Sequence, residues 1–111
     1  MARRPHTFSR ATRDVLDILG SQIAAARRES RWTANELASR AGISPKTLRD
    51  IERGAPTVSI GSVFEVAVLL RIPLYTDDDD ARADLRSLAR NRLALLGQRV
   101  RPRQETVDDD F

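Results

Sequence analysis

The sequence predicts an all-α fold: five helices forming a small helical domain, with flexible N- and C-terminal tails. Three observations carry this. Apolar residues recur at helical rather than alternating spacing along most of the chain. Serine, threonine or aspartate precedes most of these stretches, and glycine or proline follows them, as helix caps and stops do. Hydrophobic residues make up 41% of the 111 residues but aromatics only 5%, so Leu, Ile, Val and Ala must fill the core. A chain of this length suits one small domain plus tails.

Residues 1–10 read as a flexible basic arm. A first helix is expected from about Ala11 to Glu29, with Val15, Ile18, Leu19, Ile23 and Ala26 on its apolar face. Gly20 interrupts that pattern at a cost of about 1 kcal/mol against alanine, which marks a kink or a close packing point. Thr33-Ala-Asn-Glu36 has the form of a capping box, in which the Thr33 hydroxyl accepts from the Glu36 amide and Glu36 reaches back. The second helix runs from there to about Ala41, where Gly42 supplies the left-handed stop. Ser44-Pro45 restarts the chain as N-cap and first helical residue. The third helix ends near Arg53, before Gly54. Ser59 caps a fourth helix to about Arg71, apolar on nearly every side and therefore expected to be buried on both. Ile72-Pro73-Leu74 ends it. A fifth helix is expected over about Asp79–Leu96, with Leu85, Leu88, Ala89, Leu93 and Leu96 on one stripe, Arg82, Arg86 and Arg90 opposite, and Gly97 as its close. The expected organisation is a basic arm at 1–10, a helical domain at 11–76, a packing or dimerisation helix at 77–97, and an extended, mobile tail at 98–111.

Composition removes several classes of function. There is no cysteine, so no disulfide or zinc-thiolate framework, and a cytoplasmic setting follows naturally. No apolar run approaches the roughly 20 residues of a membrane span, and no apolar segment follows the basic N-terminus as in a secretory signal. One histidine, no glycine-rich phosphate loop and no nucleophile–base pairing argue against an enzyme. No cofactor or metal is expected: Asp77 to Asp80 lack the spacing of a calcium loop and suit the positive end of a helix dipole. Net charge is +3. Arginines crowd the first third and recur at Arg99, Arg101 and Arg103, a distribution that suits nucleic acid and also fits a GC-rich coding sequence.

Two short helices joined by a three-residue turn over about Thr33–Gly54 form a helix-turn-helix arrangement. Leu37, Ala38, Ile43, Leu48 and Ile51 point inward, and Ala38 must be small because the second helix crosses over it. Lys46, Arg49, Asp50 and Arg53 are left outward. The segments Ile23-Ala-Ala-Ala-Arg-Arg28, Glu36-Leu-Ala-Ser-Arg-Ala-Gly-Ile-Ser44 and Leu48-Arg-Asp-Ile-Glu-Arg-Gly54 resemble the λ-repressor-like (Cro/repressor, or XRE) domain, over about Leu19–Leu74. The resemblance implies that the second motif helix enters the major groove. Carried over by position, Pro45, Lys46, Thr47, Arg49 and Asp50 approach bases. Lys46 or Arg49 can donate to guanine, and Asp50 can accept from cytosine N4 or instead hold Arg49 or Arg53. Ser44, Thr33, Arg53 and Arg40 suit phosphates. Many relatives carry glutamine at the start of the first motif helix; Ala34 stands here, so operator preference does not transfer. The resemblance further implies an ion pair between Glu52 and Arg27, and a homodimer reading a palindromic operator in double-stranded DNA, with half-sites about 34–36 Å apart. Trp32, just ahead of the Thr33 cap, is read as a staple packing on the first motif helix, with base stacking as the other possibility.

A narrower resemblance lies beyond the motif. Val58-Ser-Ile-Gly61, Arg92-Leu-Ala-Leu-Leu-Gly-Gln-Arg-Val-Arg101 and Val107-Asp-Asp-Asp-Phe111 are similar to DNA-binding antitoxins paired with kinase-like toxins of the Hip type. It implies a bacterial, nucleoid-associated repressor that controls its own promoter and binds its toxin, with Val107, Asp108, Asp109, Asp110 and Phe111 as candidate toxin-binding residues. A stand-alone chromosomal or phage repressor is the alternative.

Overall fold

The computed structural model describes the backbone of residues 7–107 and the side chains of 7–97. Five α-helices appear, with no strand among the described residues: α1 (Arg10–Glu29), α2 (Ala34–Ala41), α3 (Pro45–Glu52), α4 (Ile60–Leu69) and α5 (Asp79–Val107). The described chain divides between Leu74 and Tyr75 into two units, α1–α4 and α5. No helix among the described residues is long and apolar enough to cross a membrane.

Each of the first four helices starts on a side-chain cap. Ser9, Thr33, Ser44 and Ser59 accept from the amides of Thr12, Glu36, Thr47 and Ser62 at 3.0–3.2 Å. At Thr33 the box closes, since the Thr33 amide donates to Glu36 Oε1 at 2.9 Å. The same four helices also end alike. A left-handed residue donates to the carbonyl three residues back, and its successor donates five back. Gly42 and Gly54 hold that position after α2 and α3, and arginine holds it after α1 and α4, at Arg31 (φ 60°) and Arg71 (φ 61°). The left-handed turn at Arg71 stops α4 two residues before the expected end at that residue.

The core of the first unit is Ile23, Leu37, Ala38, Leu48, Ile51 and Val66, where α3 packs on α1 and α2, and α4 on α2. Each fully buried aliphatic side chain contributes about 1.5–3 kcal/mol. The inward face of α1 is the expected one at Leu19, Ile23 and Ala26 but not at Val15 and Ile18. Val15 and Ile18 are 62% and 58% exposed, while Leu16, Leu19, Gly20, Ile23 and Arg27 turn inward. Gly20 explains the rotation: a Cβ there would lie 2.7 Å from the carbonyl oxygens of both Ile51 and Glu52. It is a close packing point between α1 and α3, and a helix can approach another so closely only along a face that carries no side chain.

Two further expectations are corrected. The fourth helix is not buried on both sides. Val66 and Ala67 are fully covered, but Ile60, Phe64 and Val68 form a stripe 70%, 40% and 63% exposed. The fifth helix does not close at Gly97, and the chain from Gln98 is not extended, because α5 continues to Val107. Gly97 is not left-handed, and flanking Leu95, Leu96, Gln98 and Arg99 are strong helix formers, so a single glycine is carried through. Pro102 falls inside this helix. The start of α5 is as the acidic run suggests: Asp78 accepts from the Ala81 amide at 3.0 Å, and Asp79 pairs with Arg82. From Arg82 to Gly97 its side chains are exposed, including all its leucines.

Candidate nucleic-acid interface

Only Gly42, Ile43 and Ser44 separate α2 from α3. Leu37, Ala38, Leu48 and Ile51 are 0–3% exposed, and Ile43 is half-buried beneath the turn. Burial of that face fixes which side chains α3 presents. Lys46, Arg49 and Arg53 lie outward at helical spacing with Asp50 half-buried among them.

These four are not equivalent. Asp50 accepts from Lys46 Nζ at 2.9 Å and from Arg53 Nη2 at 2.6 Å. Lys46, and then Arg53, hold its carboxyl below the usual carboxylate range. The network is therefore in place at neutral pH and is lost only as pH falls through that depressed value. Of the two roles left open for Asp50, it takes the holding one here, with Lys46 and Arg53 rather than Arg49 as its partners. Arg49 is exposed, and its guanidinium makes no ion pair or hydrogen bond among the described residues. Pro45 is exposed at the first position of α3. Ser44 and Thr47 are engaged with each other, the Ser44 hydroxyl donating to Thr47 Oγ1 at 2.9 Å. Thr33 is tied to its capping box.

Behind this face the inner end of α3 is clamped to α1. Arg27 Nε stands 2.7 Å from Glu52 Oε2 and its Nη2 3.2 Å from Oε1, a two-pronged pair with both side chains 13% exposed. The hydrogen bond that Arg27 donates to Glu52 raises the Arg27 pKa further, against the opposing effect of burial. The remaining arm of the guanidinium donates to the Trp32 carbonyl at 3.0 Å, so the pair leaves little of its polar capacity unmet. Gly54 adds a second close approach. It is left-handed (φ 79°), and a Cβ on it would lie 2.6 Å from Asp17 Oδ1 and 3.1 Å from the Leu16 carbonyl.

Asp50 holding Arg53 is among the expected readings; the Lys46 arm of that network and an arginine set over a tryptophan ring are not. The Lys46–Asp50–Arg53 network is written in i,i+4 and i,i+3 spacing and was legible in principle. The other arrangement, Arg40 with its guanidinium 4.9 Å from the centroid of the Trp32 ring, joins residues across a helix cap and has no local spacing signature. Trp32 packs half-buried against the core, as a staple would. Asp108, Asp109, Asp110 and Phe111 lie outside the described residues, as do residues 1–6; Val107 is the last residue of α5. No group of three or more potential metal ligands occurs among the described residues.

A helix-turn-helix family profile matches residues 23–76, from the middle of α1 to just past the end of the first unit. The chain is also similar to an uncharacterized HTH-type transcriptional regulator of Sinorhizobium fredii, with 31% identity over 70 residues, covering 60% of this chain and 91% of that protein.

Proposed function

The chain belongs to the helix-turn-helix family of DNA-binding transcriptional regulators, and from that premise we propose that it is a sequence-specific repressor that reads double-stranded DNA with α3. The observation that supports this best is the division of α3 into a fully buried face and an outward face carrying three cations against one carboxylate. Arg49 is the side chain free to donate to a guanine edge. Lys46 and Asp50, with Pro45 and Thr47, frame it; Ser44, Thr33, Arg53 and Arg40 face the phosphates. Titration of the protein with its own upstream region and with random duplex tests this. Arg49→Ala should cost about 1–3 kcal/mol on the specific site and relax base choice there. An equal loss on both duplexes would make Arg49 a phosphate contact, and wild-type affinity indifferent to salt would end the DNA-binding reading.

One recognition helix spans only a few base pairs, so the repressor acts as a homodimer on a palindromic operator. The exposed Ile60–Phe64–Val68 stripe of α4 and the exposed leucines of α5 are the surfaces available for it. The finer reading is an antitoxin of a type II toxin–antitoxin pair that autoregulates its promoter and binds a Hip-type kinase-like toxin. The motifs at 58–61, 92–101 and 107–111 support it by their similarity to such antitoxins. Deletion of Val107 to Phe111 should spare DNA binding and weaken co-purification with the neighbouring gene product. An unchanged toxin complex would remove the tail from the interface, and the absence of any toxin would leave a stand-alone repressor.

A further inference from the structure

We propose that Trp32 is a positioning residue that holds Arg40 as a pre-set phosphodiester contact beside the recognition helix, and this rests on the DNA-binding reading above. Arg40 is exposed near the end of α2, yet its guanidinium is not left to swing, because it lies 4.9 Å from the Trp32 ring centroid. That is within the range of a cation–π contact, about 6 Å. Trp32 is held by its side chain and by its backbone. It packs against the core, and the Trp32 carbonyl accepts from Arg27 at 3.0 Å, the same guanidinium that clamps Glu52 at the end of α3. A continuous set of contacts thus runs from α3 through Glu52, Arg27 and Trp32 to Arg40.

The surroundings select an anion. Trp32 and Arg40 line an open groove with Arg31, Asn35, Glu36 and Ser39. Its one carboxylate, Glu36, is occupied by the Thr33 amide at 2.9 Å. Arg31 and Arg40 make no ion pair among the described residues. Arg40 on α2 and Arg31 in the turn ahead of it line this open groove against the single carboxylate of Glu36, a net positive balance that suits the backbone of the duplex that α3 reads. A planar guanidinium keeps its donor edge free while its face rests on a ring, so stacking and phosphate binding are compatible. Holding Arg40 in place lowers the side-chain entropy lost on binding. With Arg40 over the ring, Trp32 is not a platform for a base.

The test uses the full chain, random-sequence duplex DNA, and the salt dependence of binding. Each phosphate contact adds about one unit to the slope of log K against log salt. Arg40→Ala, an exposed change that leaves the core intact, should reduce that slope by about one unit. Trp32→Leu should produce a similar reduction, Trp32→Phe should retain most of the wild-type slope, and the double variant Trp32→Leu with Arg40→Ala should lose no more than either alone. Trp32 is the sole tryptophan, so its emission gives an independent reading: duplex should change it in the wild type and change it less in Arg40→Ala. An unchanged slope in Arg40→Ala, fully additive losses, or equal competition by polyglutamate overturns the proposal while leaving DNA binding by α3 standing. Absence of any duplex binding by the wild type overturns both.

Discussion

Helices α3 and α4 are built from similar beginnings and finish differently. Each starts on a serine cap, each is short, and each ends in a left-handed turn. In α3 the apolar residues Leu48 and Ile51 are covered and the rest of the helix is polar. In α4 Val66 and Ala67 are covered by the same core, but Ile60, Phe64 and Val68 remain on the outside. The first helix is completed within its own chain, so its outward face is available for a polar ligand. The second carries an apolar stripe that its own unit does not cover. An exposed apolar stripe of that kind suits an association surface better than a reading surface. On the proposed reading, the difference assigns recognition and assembly to two adjacent helices.

The contrast can be broken most severely at the buried face of α3. Leu48→Ala should destabilise the first unit by about 2–5 kcal/mol, seen in denaturant melts, because a fully buried side chain leaves a cavity at the meeting of three helices. Loss of only a few tenths would show that the α3 packing is not what holds the motif. Next in size is the rear clamp. Glu52→Ala leaves Arg27 without its carboxylate, and about 2–3 kcal/mol should go with it. Gly20→Ala belongs in the same range, about 1–3 kcal/mol, since the added methyl meets two backbone oxygens that cannot step aside. The complementary change on α4 should do almost nothing to the fold: Val68→Glu is expected within about 0.5 kcal/mol of wild type but should shift sedimentation toward monomer and weaken operator binding. An unaltered dimer would place assembly elsewhere, with α5 the next surface to alter. The smallest effect sharpens the resemblance between the helix ends. Arg71→Gly replaces a left-handed arginine with the residue that α3 already uses there, at Gly54, and should stabilise by about 0.5–1 kcal/mol.

Much of α2 and α3 was legible because short-range chemistry marks both ends: Thr33 with Glu36, Gly42, Ser44 with Pro45, and Gly54 each act within a few residues. The outward set on α3 followed from the inward one. The face of α1 was not legible in the same way. Apolar residues at 15, 16, 18 and 19 cover more than one side of a helix, and the decisive residue, Gly20, contributes no hydrophobic signal. The break it makes in the pattern marks a kink or a close packing point, and the choice between them is visible only once the α3 carbonyls are placed against it. At Gly97 the opposite error arises, since a glycine between strong helix formers resembles a stop in sequence but lacks the left-handed backbone that makes one. On the candidate interface, the Arg40–Trp32 contact depends on how the α1–α2 corner folds, and spacing along the chain does not encode it.

The bare backbone at Gly20 and Gly54 has a consequence for how such a protein can diversify. Both glycines bring α1 close to α3 or its end from behind, Gly20 against the Ile51 and Glu52 carbonyls and Gly54 against Asp17 and the Leu16 carbonyl, away from what α3 displays in front. Positions 46, 49, 50 and 53 can therefore be rewritten together, and the operator changed with them, while the mounting of the helix stays constant. One internal condition on such a rewriting is charge balance around position 50, where one carboxylate serves two cations. A new specificity can then arise by exchange of a few surface residues, with no compensating change in the core.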